Sequence, residues 1–170
     1  LQTTSDRKTK MMEFFDEQRM CRLYEKFILE YYKKEHLEIK VSASQIPWNL
    51  DDGYNEMLPV MRSDALLRKE DKTLILDAKY YSHTTQNRYN TNTIHSRNLY
   101  QIYTYVKNLD IKNSGKVAGI LLYAKTDEII LPDNNYRMGG NEIAVKTLDL
   151  DCGFAEVRRQ LDGIVQKYFE

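Results

Sequence analysis

The chain is 170 residues long, 42% hydrophobic and 29% charged, which fits a folded domain with a sizeable core and excludes a disordered chain. Basic and acidic residues both number 25, so the formal net charge is zero and any affinity for nucleic acid has to come from a local patch. No apolar run approaches the roughly 20 residues of a membrane-spanning helix. The polar start lacks a signal-peptide core, and its first residue is Leu, as expected of a fragment of a longer chain.

Residues 6–35 read as a helix. Phe14, Phe15, Cys21, Leu23, Tyr24, Phe27, Ile28, Tyr31 and Tyr32 recur at helical spacing, with no Gly or Pro between them. Alternation over 39–48 predicts a strand, and 49–55 is a turn cluster. Residues 61–68 and 73–81 read as two strands joined by Lys69-Glu70-Asp71-Lys72. Residues 82–98 are nearly devoid of aliphatic side chains and read as a polar loop, running into a helix over about 94–108. A strongly apolar strand covers 116–125. Residues 128–131 and 142–150 look like further strands, with a Pro/Asn/Gly-rich loop between them. Residues 154–169 close the chain as an amphipathic helix whose Phe154, Val157, Leu161, Ile164, Val165 and Tyr168 share a face. This order predicts an α/β fold, a mixed β-sheet flanked by helices, in a single domain over 1–170. The lone cysteines, Cys21 and Cys152, with three histidines make no zinc ligand set and suit a reducing, cytoplasmic compartment. Thirteen tyrosines offer rings for base stacking, but packing is their ordinary use.

The chemistry concentrates in the 61–81 hairpin. Side chains alternate along a strand, so Asp77 and Lys79 point the same way, with Ile75, while Leu74, Leu76 and Ala78 point to the other face. A hairpin turning symmetrically about Glu70-Asp71 sets Asp64 opposite Asp77. Directly opposed Cβ atoms are about 4.5–5.5 Å apart. Two carboxylates so placed repel each other unless a cation holds them, and hard oxygen ligands at this spacing suit Mg²⁺, with Mn²⁺ as a substitute. The Lys79 ammonium beside them can hold a nucleophilic water or meet charge developing on a phosphate. Two acids and a lysine around a metal are the minimum equipment for hydrolysing a phosphodiester. The unbroken run Leu74-Ile75-Leu76 marks a strand covered on both sides, so the charges at its end need partners. A structural salt bridge between Lys79 and one Asp is the rival explanation that the residues leave open.

On the next helix Asn98, Gln101 and Tyr105 form a polar stripe at spacings of three and four, able to face a phosphate backbone or to orient a catalytic side chain. Asp64, then Asp77-Ala78-Lys79, then Gln101-x-x-x-Tyr105 resembles the RecB-like branch of the PD-(D/E)XK nucleases. The segments LPVMRSDALLRK, LILDAKYY, NLYQIYTYV and GILLYAK are similar to the nuclease domain of the McrC family, the cleavage subunit of the McrBC modification-dependent restriction system. The resemblance runs from about Leu23 to the C-terminus. It implies a restriction-endonuclease-like fold, with Asp64, Asp77 and Lys79 catalytic and supported by Gln101 and Tyr105. Asp64 and Asp77 would be joined in the metal shell by Glu25 of the first helix. Ser63 stands where the signature has Pro, with Pro59 a little upstream, a departure the superfamily tolerates.

The same resemblance implies a metal-dependent endonuclease cutting double-stranded DNA in antiviral defence, with nuclease domains pairing for double-strand cleavage. It also implies an AAA+ GTPase subunit of McrB type, engaged through a region outside this chain. No Walker-type glycine-rich loop is present, so no nucleotide is expected on this chain and targeting falls to the partner. Two other readings stay open: a catalytically silent nuclease-like module for DNA binding or assembly, and a RecB-like repair nuclease without an AAA+ partner. Residues 82–97 border the site directly after Lys79. His83, Arg88, His95 and Arg97 there, with Asn98, are the expected phosphate contacts, on a loop expected to order on DNA.

Overall fold

In the computed structural model residues 4–81, 85–88, 91–125, 127 and 131–170 are described, with the backbone alone at 4–5, 85–88 and 91–92. Helix α1 (Thr4–Glu35) leads into β1 (Lys40–Ser42), β2 (Gln45–Ile46), β3 (Met61–Arg62), β4 (Ala65–Lys69) and β5 (Lys72–Lys79). Then come β6 (Thr85–Arg88), β7 (Thr91–Ile94), α2 (Ser96–Leu109), β8 (Val117–Ala124), β9 (Asn134–Met138), β10 (Asn141–Leu148) and α3 (Phe154–Phe169). Six strands form one mixed sheet in the order β1-β4-β5-β8-β10-β9. Its centre, β5, β8 and β10, is parallel, and the outer pairs are antiparallel. This is the α/β sheet flanked by helices, of restriction-endonuclease-like type, that the sequence predicts.

The alternation of β5 explains how the layers assemble. Leu74, Leu76 and Ala78 enter one core with Tyr24, Ile28 and Tyr32 of α1 and Leu161 and Val165 of α3. Ile75 enters the opposite core with Ile102 and Val106 of α2 and Leu121 of β8. Both faces of the central strands are covered, which is why β5 and β8 read as near-continuous apolar runs. Each Leu or Ile so buried contributes about 1.5–3 kcal/mol. Buried tyrosine hydroxyls find carbonyls: Tyr24 donates to Leu122 O at 3.1 Å and Tyr32 to Leu161 O at 3.0 Å, tying α1 to β8 and α3.

The predicted strand over 39–48 is two short strands, β1 and β2, and that over 61–68 breaks at Ser63-Asp64 into β3 and β4. Ser63 pins the break, its N–H and its hydroxyl both reaching Ser44 O at 3.2 Å. The stretch over 82–98, expected to be a loop, contains the β6–β7 hairpin, in which Arg88 pairs with Thr91. Its Thr, Asn, Gln and Arg residues carry no apolar alternation from which strands can be read. The expected strand over 128–131 lies mostly outside the described residues, and Leu131 is in no strand. Strand β9 occupies the stretch read as a loop, as an exposed edge that needs no apolar face. Phe14, Phe15, Leu23 and Phe154 are exposed, so the buried faces of α1 and α3 are narrower than the periodicity suggests.

Gly119, in β8, decides how closely α2 sits on the sheet. A Cβ there would lie 2.7 Å from Ile102 Cγ1 and 2.8 Å from Val106 Cγ2. Gly119→Val is expected to push α2 outward and lower stability by roughly 1–3 kcal/mol, the usual penalty of overpacking. The readout is the midpoint of urea unfolding; an unchanged midpoint would mean that α2 has room to spare.

Candidate active site

The β4–β5 hairpin turns through Glu70 and Asp71, and its ladder runs from Lys69 opposite Lys72 to Ala65 opposite Leu76. One further step sets Asp64 opposite Asp77, as a symmetrical turn requires. Asp64 lies just outside β4, at the break. Its Oδ2 accepts a 2.7 Å hydrogen bond from Ala78 N–H, which holds the carboxyl against β5, close enough to Asp77 for the charge of one to raise the pKa of the other.

Asp77 is buried, with 3% of its surface exposed. Its Oδ2 forms a 2.8 Å ion pair with Lys79 Nζ, and among the described residues this buried oxygen has no other partner. Lys79 Nζ donates to Gln101 Oε1 at 3.1 Å, and Gln101 Nε2 donates to Tyr105 Oη at 2.9 Å. Residues 101 and 105 are one turn apart on α2, so both reach the site. An ammonium has no acceptor to offer, which fixes the amide oxygen on the lysine and leaves the amide nitrogen for the tyrosine.

Burial, then the charges of Asp77 and Glu25, pushes Asp64 up to about 8, against the Ala78 N–H, which favours the charged form. At neutral pH Asp64 therefore keeps its proton unless positive charge arrives. Burial opposes the Lys79 ammonium, but Asp77 outweighs it, and the lysine stays charged with its pKa above the ordinary value. Glu25 is also raised, by burial first, with Asp77 adding to the effect and Lys79 opposing it.

These features fit a hard divalent cation, which takes one or two carboxylates and keeps several waters. A buried Asp77 oxygen, paired only with the Lys79 ammonium, lies beside an acid whose pKa is raised first by burial and then by its acidic neighbours. Asp64 and Asp77 would hold the ion. The three-carboxylate shell is not assembled: among the described residues no three His, Cys, Asp or Glu side chains converge as a ligand set. Helix α1 packs on the face of the sheet opposite α2, and its Glu25 is near enough for its charge to help raise Asp64.

The expected DNA contacts divide. His83 lies outside the described residues, as does the Arg88 side chain, although the Arg88 backbone ends β6. His95 is half-buried, edge-on to Tyr81 with ring centroids 5.9 Å apart, and Arg97 is exposed in the first turn of α2. Asn98 is a correction: it is buried, 4% exposed. Its Nδ2 donates to Tyr123 Oη at 2.9 Å and its Oδ1 accepts from Tyr81 Oη at 3.4 Å, so its amide is spent inside the protein. Tyr81 and Tyr123 were not singled out from the sequence. The available signal was Tyr123 itself, a hydroxyl within the apolar run of β8 that needs a partner once buried.

The family model described as McrBC 5-methylcytosine restriction system component matches residues 5–124, a span that contains all of these residues. The chain is also 30% identical over 158 residues to the type IV methyl-directed restriction enzyme EcoKMcrBC of Escherichia coli (strain K12). That alignment covers 91% of this chain and 45% of the relative, so the chain spans less than half the relative's length.

Proposed function

This chain belongs to the McrBC family of 5-methylcytosine restriction system components, and from that premise we propose that it is the metal-dependent endonuclease module of such a system, hydrolysing phosphodiester bonds in double-stranded DNA. The observation that carries the reading is the meeting of Asp64, Asp77 and Lys79, with the buried Asp77 Oδ2 paired only with the Lys79 ammonium. When bound, Mg²⁺, or Mn²⁺ in its place, supplies Lewis acidity and an acidified water. Asp64 and Asp77 hold the ion. Lys79, kept charged by Asp77 and aimed by Gln101 and Tyr105, meets the negative charge that builds on the phosphate.

The β6–β7 hairpin with Arg88, and Arg97 at the start of α2, follow Lys79 in the chain and are the proposed elements that track the DNA backbone. Arg97→Ala is expected to weaken DNA binding and to lower the slope of log affinity against log salt by about 1. Fluorescence anisotropy across a salt series reads this, and an unchanged slope removes Arg97 from the interface. Recognition of the modified base and GTP hydrolysis are assigned to an AAA+ partner of McrB type, and two nuclease modules cut the two strands. No helix among the described residues is long and apolar enough to cross a membrane, and the proposed setting is the cytoplasm, with the DNA.

The deciding experiment incubates the chain, alone and with its AAA+ partner and GTP, with duplex DNA carrying methylcytosine. Cleavage is expected with Mg²⁺ or Mn²⁺ and none in EDTA. A protein that binds this DNA but cuts it under none of these conditions is a silent module.

A further inference from the structure

Helix α2 meets the sheet along two stripes. Asn98, Ile102 and Val106, at spacings of four, are buried. Gly119 is tight against Ile102 and Val106, and Asn98 is bonded to Tyr123, so this stripe lies along β8. Gln101 and Tyr105 form the flanking stripe toward β5 and Lys79. In the parallel register of β5 and β8, Tyr123 is the partner of Lys79. The residue that Asn98 grips is thus directly beside the residue that Gln101 grips.

We propose, resting on the nuclease reading above, that Asn98 and Tyr123 are a positioning pair that fixes the height of α2 along the sheet and so places Gln101 on the catalytic lysine. Ile102 and Val106 sit in the gap that Gly119 leaves between Val117 and Leu121, which fixes this height only coarsely. Dispersion is non-directional, so these contacts do not set the final fraction of a turn. A buried amide and a buried phenol are directional, and a shift of α2 by part of a turn leaves both without partners. Gly119 sets the depth at which the helix rests and its coarse position, and Asn98–Tyr123 fixes the remaining fraction of a turn. Tyr81 closes the arrangement from just beyond the end of β5. It lies two residues beyond Lys79, donates to Asn98 Oδ1 and packs at 6.1 Å on the Tyr123 ring. Asn98 therefore has one hydrogen bond to the strand that carries Tyr123 and one to the segment just past Lys79. Neither bond touches the reacting atoms; their effect passes through Gln101.

Tyr123→Phe removes one hydroxyl from this pair and keeps the ring packing. Two measurements on the chain separate positioning from general destabilisation. The first is the side-chain amide signal of Gln101 in ¹⁵N–¹H spectra without metal. It is expected to move toward the position of a free glutamine amide in Tyr123→Phe and in Asn98→Ala, while backbone signals of α3 stay in place. The second is metal-dependent DNA cleavage, where Tyr123→Phe should lower kcat about tenfold at unchanged KM. In a Gln101→Ala background the same substitution should cost less than about twofold, because the effect acts through Gln101. An unmoved Gln101 amide, or an equal loss of kcat in both backgrounds, overturns the proposal. If the wild-type chain cuts no DNA but the Gln101 amide still moves, the nuclease reading fails and the positioning role stands.

Discussion

Asp77→Asn is expected to abolish metal-dependent cleavage, a loss of about a thousandfold or more, while the protein stays folded. Asp77 supplies the one buried oxygen that no hydrogen bond reaches among the described residues, and an amide there can no longer balance a divalent charge. The Lewis acidity at stake is worth several kcal/mol, and each 1.4 kcal/mol is a factor of ten. Folding survives because Asp64 takes over the pairing: without the Asp77 charge, one cause of its raised pKa disappears, and it can ionise beside Lys79. Lys79→Met tests the other half of the site and should behave differently. Cleavage falls about 10²–10³-fold, the usual cost of removing one electrostatic stabiliser of the transition state. Mg²⁺ affinity by calorimetry rises, because the ammonium that competes for Asp77 is gone. This variant is also less stable in EDTA, on the order of 3–5 kcal/mol, as breaking a buried pair requires. If Asp77→Asn keeps both Mg²⁺ affinity and cleavage, the two carboxyls are not the metal site. If both variants merely destabilise a chain that never cuts, Lys79–Asp77 is the structural salt bridge that the residues alone left open.

The geometry of the candidate site was legible in the sequence because it sits on the most regular part of the fold. A two-residue turn and strict alternation leave one register, and that register sets Asp64 opposite Asp77 and sends Ile75 and Leu74 to different cores. Helix α3 was equally clear, its apolar spacing unbroken from Val157 to Val165. What escaped has no periodic signal. The β6–β7 hairpin and the edge strand β9 are built from polar residues, held by ladder hydrogen bonds that any side chain permits. Asn98 was misplaced for a related reason. An Asn near the start of a helix reads as surface, and only the tertiary fold brings Tyr123, 25 positions away, to satisfy its amide. Glu25 came from the resemblance alone: its charge helps raise Asp64, but among the described residues no three carboxylates gather as a ligand set.

Asp64→Asn is expected to stabilise the metal-free protein at alkaline pH while destroying cleavage. The folded pKa of Asp64 is pushed up to about 8 by burial and by its acidic neighbours, against 3.8 for an unperturbed carboxyl. Between these two values the folded state holds a proton that the unfolded state has released, so stability falls as pH rises through this window. Below it the acid is neutral in both states and costs nothing; above about 8 it is ionised in both, and the full penalty is paid. An Asn keeps the oxygen that accepts from Ala78 N–H and never ionises. Thermal melts in EDTA at pH 5, 7 and 9 should therefore show the wild type losing ground to Asp64→Asn as pH rises, by on the order of a few kcal/mol at the top of the range. Mg²⁺ reverses the trend in the wild type, since the ion and the proton compete for one carboxylate, and its stabilising effect should grow from pH 6 to pH 8. In Asp64→Asn that growth should be absent. Wild type and variant running parallel across the pH range would mean that Asp64 is ionised in the resting protein. The site would then carry its negative charge already uncovered, and binding of a cation would release no proton.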